Sequence, residues 1–430
     1  MPFRFIHTAD LHLDSPLTSL ALRNADLGDL VRGATRTALE RIVDIALAEA
    51  VDALVIAGDL YDGSQTSMAT ALFLMAEMRR LEAAGIRVYL IRGNHDAQSQ
   101  ITRELTFPPN VHVFDGRGRP VRAGALANGR EVHVHGISFA NPHAPASLLP
   151  SFRAPVADAV NIGLLHTSLA GASRHDPYAP VSIADLAAHG FDYWALGHIH
   201  QRRVHLEKPW IVMPGNPQGR DINESGPKGV TLVTVEEDGT IACEERPVAV
   251  AVFERLSVDL AGVDDWRGMQ ERAEAVLAAA LAATGGAHLV ATGGAHLVAR
   301  LTLAGATPLA WRLRRDEDLL LAELQNIAAS LGSGWIEAVE LAVTAPPVAE
   351  GSDAGPLSEL SRLMHADVTL SHAYREELRE TLADLLRQLP KEARHLLVPD
   401  EVAEEGLIAE LAREGADTVL ARLGGEREGA

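Results

Sequence analysis

Apolar positions in this chain fall into short continuous runs separated by stretches of helical spacing. Phe3-Arg4-Phe5-Ile6-His7-Thr8 reads as a strand, Leu39, Ile42, Val43 and Ala46 share one helical face, and Val55-Ile56-Ala57 reads as a second strand. Ala71, Leu74, Met75 and Met78 mark another helix, which Gly85 is placed to end, and Val88 to Ile91 forms a third strand. Two strand–helix–strand units in succession predict a parallel sheet with right-handed crossovers. Ala159 to Leu165 and Tyr193 to Leu196 read as further buried strands. Glu131 to Gly136 alternates, with His133 and His135 as sheet residues, while His143, His175 and His205 fall in loops or on the surface. Lys228 to Val235 and Thr240 to Glu245 are expected to finish a second sheet.

The pattern changes near Ala249. Ala251 to Val258, His296 to Leu303 and Trp335 to Val343 read as strands, with helices over Trp266 to Ala283 and Glu317 to Leu331. Between them Thr284 to Ala291 is repeated residue for residue as Thr292 to Ala299. An even insertion preserves strand faces, so the repeat is read as a longer hairpin or loop with no chemical role. Pro346 to Pro356 has linker composition. Beyond it Tyr374, Leu378, Leu382, Leu385 and Leu389 line one side of a helix, and Leu407, Ile408 and Leu411 begin another. Such a pair either packs on its own domain or offers a docking surface. The boundaries expected are 1–247, 248–345, 346–356 and 357–430.

At 430 residues and 47% hydrophobic content the chain can bury the core of two or three domains. One cysteine, Cys243, excludes intrachain disulfides and thiolate metal sites, so any metal must use His, Asp, Glu or Asn. No apolar stretch is long enough to span a bilayer and no signal peptide is evident, which makes the cytoplasm the expected location. A formal charge of −20 argues against coating nucleic acid by bulk electrostatics, so any such contact must be local. Part of that charge lies in residues 350–430, with 18 acidic against 9 basic residues.

Candidate chemistry sits at the strand ends. Asp10 and His12 follow the first strand and leave an extended segment on one face. Gly58-Asp59-Leu60-Tyr61-Asp62 follows the second, and Gly93-Asn94-His95-Asp96 the third. In open α/β sheets chemistry collects at these carboxyl ends. Asp-x-His, Gly-Asp-x-x-Asp and Gly-Asn-His-Asp in this order resemble the calcineurin-type metallophosphoesterases. That resemblance requires a later strand-end histidine and then Gly-His-x-His, and His166 and Gly197-His198-Ile199-His200 supply both. Asp14-Ser15-Pro16 and Pro214-Gly215-Asn216-Pro217-Gln218-Gly219-Arg220 narrow it to the YhaO/SbcD-like branch of DNA repair exonucleases. The motifs cover roughly the first 220 residues.

The resemblance implies an α/β fold: a two-sheet metallophosphoesterase sandwich flanked by helices, a small α+β capping domain and a helical C-terminal tail. It places Asp10, His12, Asp59 and His200 on one divalent ion and Asp59, Asn94, His166 and His198 on the other. Mn²⁺ is favoured by family, and Mg²⁺, Fe or Zn is tolerated by such ligands. Two ions activate a bridging water and clamp the phosphate, so no side-chain nucleophile is needed. His95 would act near the leaving oxygen, oriented by Asp62. Arg174, Arg202, Arg203, Arg220 and Lys228, with Trp311 to Arg315, are the local candidates for binding DNA. The expected activity is a DNA exonuclease acting in repair beside an SMC-like coiled-coil ATPase, with dimerisation through the phosphoesterase domain. A phosphodiesterase or phosphatase for nucleotides or other small molecules, and a scaffold regulating an ATPase, are the alternatives.

Overall fold

The computed structural model describes residues 1–15, 33–62, 67–98, 106–139, 144, 146–170, 178–284, 295–346, 356–389, 394 and 397–425. Its contacts group into two compact units, 1–255 with 280–299 and 256–279 with 300–430.

The first unit opens with β1 (Phe3–Thr8), α1 (Ala34–Ala48), β2 (Ala53–Ala57), α2 (Met68–Ala83), β3 (Arg87–Ile91), α3 (Asn94–Gln98) and β4 (Val111–Val113). The chain then forms β5 (Pro120–Ala125), β6 (Glu131–Gly136), β7 (Val160–His166), α4 (Ile183–Ala188), β8 (Tyr193–Gly197), β9 (Arg203–Glu207) and β10 (Trp210–Met213). Last come β11 (Gly229–Val235) and β12 (Ile241–Pro247). One six-stranded sheet has the order β12-β11-β1-β2-β3-β4, the other β5-β6-β7-β8-β10-β9. The pairs β1–β2, β2–β3 and β3–β4 are parallel, as the alternation of strands and helices predicts.

The alternation of side chains across each strand builds the layers. Ile6, Leu54, Ile56, Val88 and Leu90 face Leu39, Ile42, Val43, Leu74 and Met78 of α1 and α2. Their neighbours Phe5, Val55, Tyr89 and Ile91 turn inward, against Val134, Ile162, Leu164 and Tyr193 of the second sheet. Trp194, Leu196 and Ile211 cover the far face of that sheet together with Leu186 of α4. Strands buried on both faces read as unbroken apolar runs, which is why β2, β3, β7 and β8 are legible in sequence.

One expectation is corrected. β11 and β12 join the first sheet, β11 lying antiparallel to β1 from Phe3↔Val235 to His7↔Thr231. β10 takes the place beside β8, with β9 outside it, so the second sheet has no room there, whereas β1 offers an open edge. No pattern had singled out β9 or β10.

Elements of the second part are β13 (Ala251–Asp259), α5 (Trp266–Thr284), β14 (His296–Ala306), α6 (Ala310–Arg315), α7 (Glu317–Ser330) and β15 (Gly334–Thr344). They are followed by α8 (Pro356–Leu363), a π-helical turn over Met364–Val368, α9 (His372–Arg387) and α10 (Glu401–Gly425). The strands pair in the order β13-β14-β15. α10 buries Ile408, Ala412, Ala416 and Leu420, while α9 buries Leu382 and leaves Leu385 exposed. The repeated octapeptide starts at the last residue of α5 and its second copy ends inside β14 at Ala299, but residues 285–294 lie outside the described residues, as do 347–355 of the expected linker. Among the described residues no helix is long and apolar enough to cross a membrane.

His135 gives the fold a testable pH response. Its side chain is buried and Nε2–H donates to Asn161 Oδ1 at 2.9 Å; burial lowers its pKa to about 4. The unfolded chain takes up a proton near pH 6.5 that the folded state refuses until about pH 4, so stability falls as pH drops through that window. The loss is at most about 1.4 kcal/mol per pH unit. Urea titrations of chelated protein between pH 7 and pH 4.5 should show this fall, and His135→Gln should flatten it by about one proton; an unchanged slope would refute the assignment.

Candidate metal centre

The carboxyl ends of β1, β2, β3, β7 and β8 converge, and every candidate ligand lies at or just beyond one of them. Donor atoms of Asp10, His12 and His200 all lie within 4.8 Å of one another, and so do those of Asp10, Asp59 and His166. Asp10 is common to both groups. His12, Asp62 and His95 make a third group, beside the first.

The histidines are fixed by what their outer nitrogens touch. His12 Nδ1 lies 2.8 Å from Asp62 Oδ1, His200 Nδ1 2.7 Å from Glu224 Oε1, and His166 Nδ1 2.9 Å from the Ala57 carbonyl. Each partner only accepts, so each Nδ1 carries a proton, and in the neutral ring each Nε2 is a bare lone pair. These lone pairs meet other acceptors. His12 Nε2 and His200 Nε2 face each other at 3.1 Å; His166 Nε2 lies 3.0 Å from Asn94 Oδ1 and 3.3 Å from Asp59 Oδ2. Acceptors this close repel unless a cation lies among them. About 3 Å is also the spacing of adjacent donors whose bonds to one ion are about 2.1 Å. The donor set therefore fits divalent metal, with outer partners of the kind that orient metal-bound imidazoles.

Charge without metal follows the same logic. Burial opposes charging both Asp59 and His166, yet each holds the other ionised: the carboxyl is driven well below its usual range and the imidazole up to about 9. Asp10, buried and beside Asp59, is pushed up to about 6. A proton on His166 does in part what a metal would do.

Backbone strain collects here too. Asp10, His12, Asp59 and His198 have φ of 53°, 41°, 54° and 99°, a region that costs a non-glycine residue about 1–2 kcal/mol. Hydrogen bonds hold these turns: His198 N–H donates to Asp10 at 3.0 Å, and His95 N–H to Asp59 Oδ1 at 3.1 Å. Asp96, buried, accepts from the backbone N–H groups of Leu60 and Gly93 at 2.9 and 3.0 Å, locking the second strand end to the third. The His198 ring lies 5.1 Å from that of His166 and 4.9 Å from Tyr178.

Other expected residues sit as follows. Asp62 bonds His12; its Oδ1 is 3.8 Å from His95 Nδ1, so its nearer ring is a candidate ligand. His95, Arg220 and Lys228 line an open cavity of about 720 Å³ with Asp59, His198 and His200. Arg220 is paired with Glu224 at 2.7 Å, and Lys228 Nζ, buried, donates to the His200 carbonyl at 2.8 Å. Arg202 pairs with Glu245, Arg314 with Asp417 and Arg315 with Asp316, while Arg312 lies over Trp266. Arg203 is exposed on β9. Arg174, His143 and His175 lie outside the described residues. His133 pairs with Glu131 and His135 with Asn161, as sheet residues. Sequence reasoning missed Glu224, which no spacing links to His200; Asp96 stood in a quoted motif without a role.

Residues 3–202 match the calcineurin-like phosphoesterase family. Those residues carry the calcineurin-like phosphoesterase domain. Residues 253–344 match the middle domain of metallophosphoesterase YhaO. The uncharacterized metallophosphoesterase YhaO of Bacillus subtilis is 36% identical over 258 residues, 60% of this chain and 63% of that protein. The DNA double-strand break repair protein Mre11 of Sulfurisphaera tokodaii is 28% identical over 251 residues, 55% of this chain and 60% of its own length. These matches thus span somewhat under two thirds of either relative. A dimetal phosphatase structure from Danio rerio, 12% identical, covers 58% of this chain and 98% of its own, with a TM-score of 0.36.

The metal centre predicts a glycine effect. A Cβ on Gly93 would fall inside contact distance of Asp59 Oδ1. Gly93→Ala should weaken Mn²⁺ binding by about 10-fold or more, read as a lost metal-induced rise in Tm. Gly33→Ala, where a Cβ meets nothing within 4 Å, should leave that rise intact.

Proposed function

We propose that this chain is a two-metal phosphodiesterase that degrades DNA from ends or in single-stranded regions, with its catalytic residues within 1–247. The observation that carries the metal reading is the His12 and His200 pair, whose Nε2 atoms face each other at 3.1 Å, with His166 Nε2 set against Asn94 and Asp59 beside them. Two divalent ions held by Asp10, His12, Asp59, Asn94, His166, His198 and His200, Mn²⁺ first among them, would polarise a phosphodiester and activate water. The chain's own groups do the rest. Asp62 and Glu224 hold the His12 and His200 rings. His95, half exposed on the cavity wall, is the group that can hydrogen-bond the leaving oxygen; burial lowers its pKa, which favours the neutral ring. The DNA half of the reading leans on the names of the Mre11 relatives, and an SMC-like coiled-coil ATPase is the partner proposed with it.

One observation favours a small phosphodiester as substrate instead. Arg220 and Lys228, the basic groups lining the cavity, are both engaged inside the protein. A long polyanion would gain little from them.

Metal-stripped protein should be given Mn²⁺ with end-labelled single- and double-stranded DNA and with a chromogenic phosphodiester. We expect Mn²⁺-dependent shortening of DNA, cut about 10²-fold or more by His95→Ala with metal content unchanged. Turnover of the small diester without DNA cleavage, even with a partner ATPase present, would sink the nuclease reading and leave the small-molecule enzyme.

A further inference from the structure

His200 enters the metal centre from the β8–β9 connection, but the atoms that fix it come from the loop between β10 and β11. Glu224 Oε1 accepts from His200 Nδ1 at 2.7 Å, and Lys228 Nζ holds the His200 carbonyl at 2.8 Å. The carboxylate is saturated. Its Oε1 also accepts from Arg220 Nη2 and Nε at 2.7 and 3.0 Å, and its Oε2 from Asn216 Nδ2 and the Arg220 N–H, both at 2.8 Å. Arg220 Nη2 stands 3.2 Å from His200 Nδ1, which already carries a proton, so the guanidinium braces the ring through the carboxylate they share. Both the ring and the backbone of this candidate ligand depend on one loop.

That loop is stitched to residues 250–255. Gln218 is buried, and its Oε1 accepts from the N–H groups of Val250 and Ala251 at 2.8 and 3.3 Å. Its Nε2 donates to the carbonyls of Ala251 and Gly219, both at 2.8 Å. Gly226 N–H donates to the Phe253 carbonyl at 2.9 Å and Arg255 Nη2 to Asn223 Oδ1 at 3.1 Å. A loop bonded along both its arms moves with the segment it is bonded to.

We propose that Glu224 is the positioning residue of His200, and that Gln218 makes the setting of that ring answer to residues 250–255, where β13 begins. The inference rests on the metal reading above. A carboxylate on the outer nitrogen fixes the tautomer and the direction of the Nε2 lone pair, and losing such a partner commonly weakens metal binding 10- to 100-fold. Gln218 acts at one remove, through the loop, so its loss should cost less. Only the ion that His200 touches should be affected.

The test uses the full chain, stripped of metal and titrated with Mn²⁺ by calorimetry, with the spin resonance of bound Mn²⁺ recorded in parallel. Wild type should take up two ions. Glu224→Gln should weaken one of them by about 10- to 100-fold and leave the other within about 3-fold. Gln218→Met should weaken the same ion by a smaller factor. Should that variant not fold, Arg255→Ala removes the outer stitch with little change in packing and should act in the same direction. Wild-type affinity for both ions in Glu224→Gln would overturn the positioning role. Equal weakening of both ions with a lower metal-free Tm would overturn it in favour of general structural support, and no effect of Gln218→Met or Arg255→Ala would overturn the coupling. If wild type itself binds no Mn²⁺, the metal reading fails first and this inference falls with it.

Discussion

The separation between the two sheets sets everything at the metal centre. Asp10, Asp59 and Asn94 come from ends of one sheet, His166, His198 and His200 from ends of the other, and no covalent link nearby holds them in register. What holds them is the apolar layer between the sheets, with Phe5 packed edge-on against Tyr193 at 5.3 Å, and a polar link beside it. His7 is buried, accepts from the Tyr193 hydroxyl at 2.9 Å and donates to the Leu196 carbonyl at 3.0 Å. Burial lowers its pKa to about 3, so the ring stays neutral and keeps both bonds. It joins β1, three residues before Asp10, to β8, two residues before His198.

Given that spacing, the turns beyond the strands have little freedom. The segment after β1 runs alongside the segment after β2, with Asp10 N–H on Gly58 O at 3.0 Å, His12 N–H on Asp59 O at 3.1 Å and Leu13 N–H on Leu60 O at 2.9 Å. The two loops thus continue the parallel pairing in distorted form, and the positive φ values of Asp10, His12 and Asp59 are the distortion. Gly58, itself at φ 96°, lies against the His166 ring, where a Cβ would come within 2.6 Å of Nδ1. Glycine is required there on two counts, backbone and space.

This division explains what could be read from sequence. The five motifs were legible because each is a short run locked to a strand end, and the strands were legible because burial on both faces leaves an unbroken apolar signature. The sheet that β11 and β12 would join was not, because an alternating strand records which faces it buries but not which edge it finds. Asp62 shows the same limit at the level of one side chain. Its position after Asp59 pointed to a role at the site, while the ring it touches, His12, depends on how two loops fold over one another. Glu224 carried no signal at all, since an acid in a polar loop looks the same whether it meets water or an imidazole.

The charge pattern around the centre bears on how a phosphate could be held. Acidic groups cluster there; among the described residues Lys228 is held by the His200 carbonyl, while the arginines restrain acids, Arg36 bound to Asp14 and Arg220 to Glu224 with Asp62 3.7 Å away. Such cations fix the ligand scaffold, and the field of the arginines is largely cancelled by the carboxylates they hold. In a chain of formal charge −20, attraction for a phosphodiester would then come chiefly from the metal ions themselves. Affinity and reactivity would share one source, and a substrate that reached the cavity without the ions in place would meet a field that repels it.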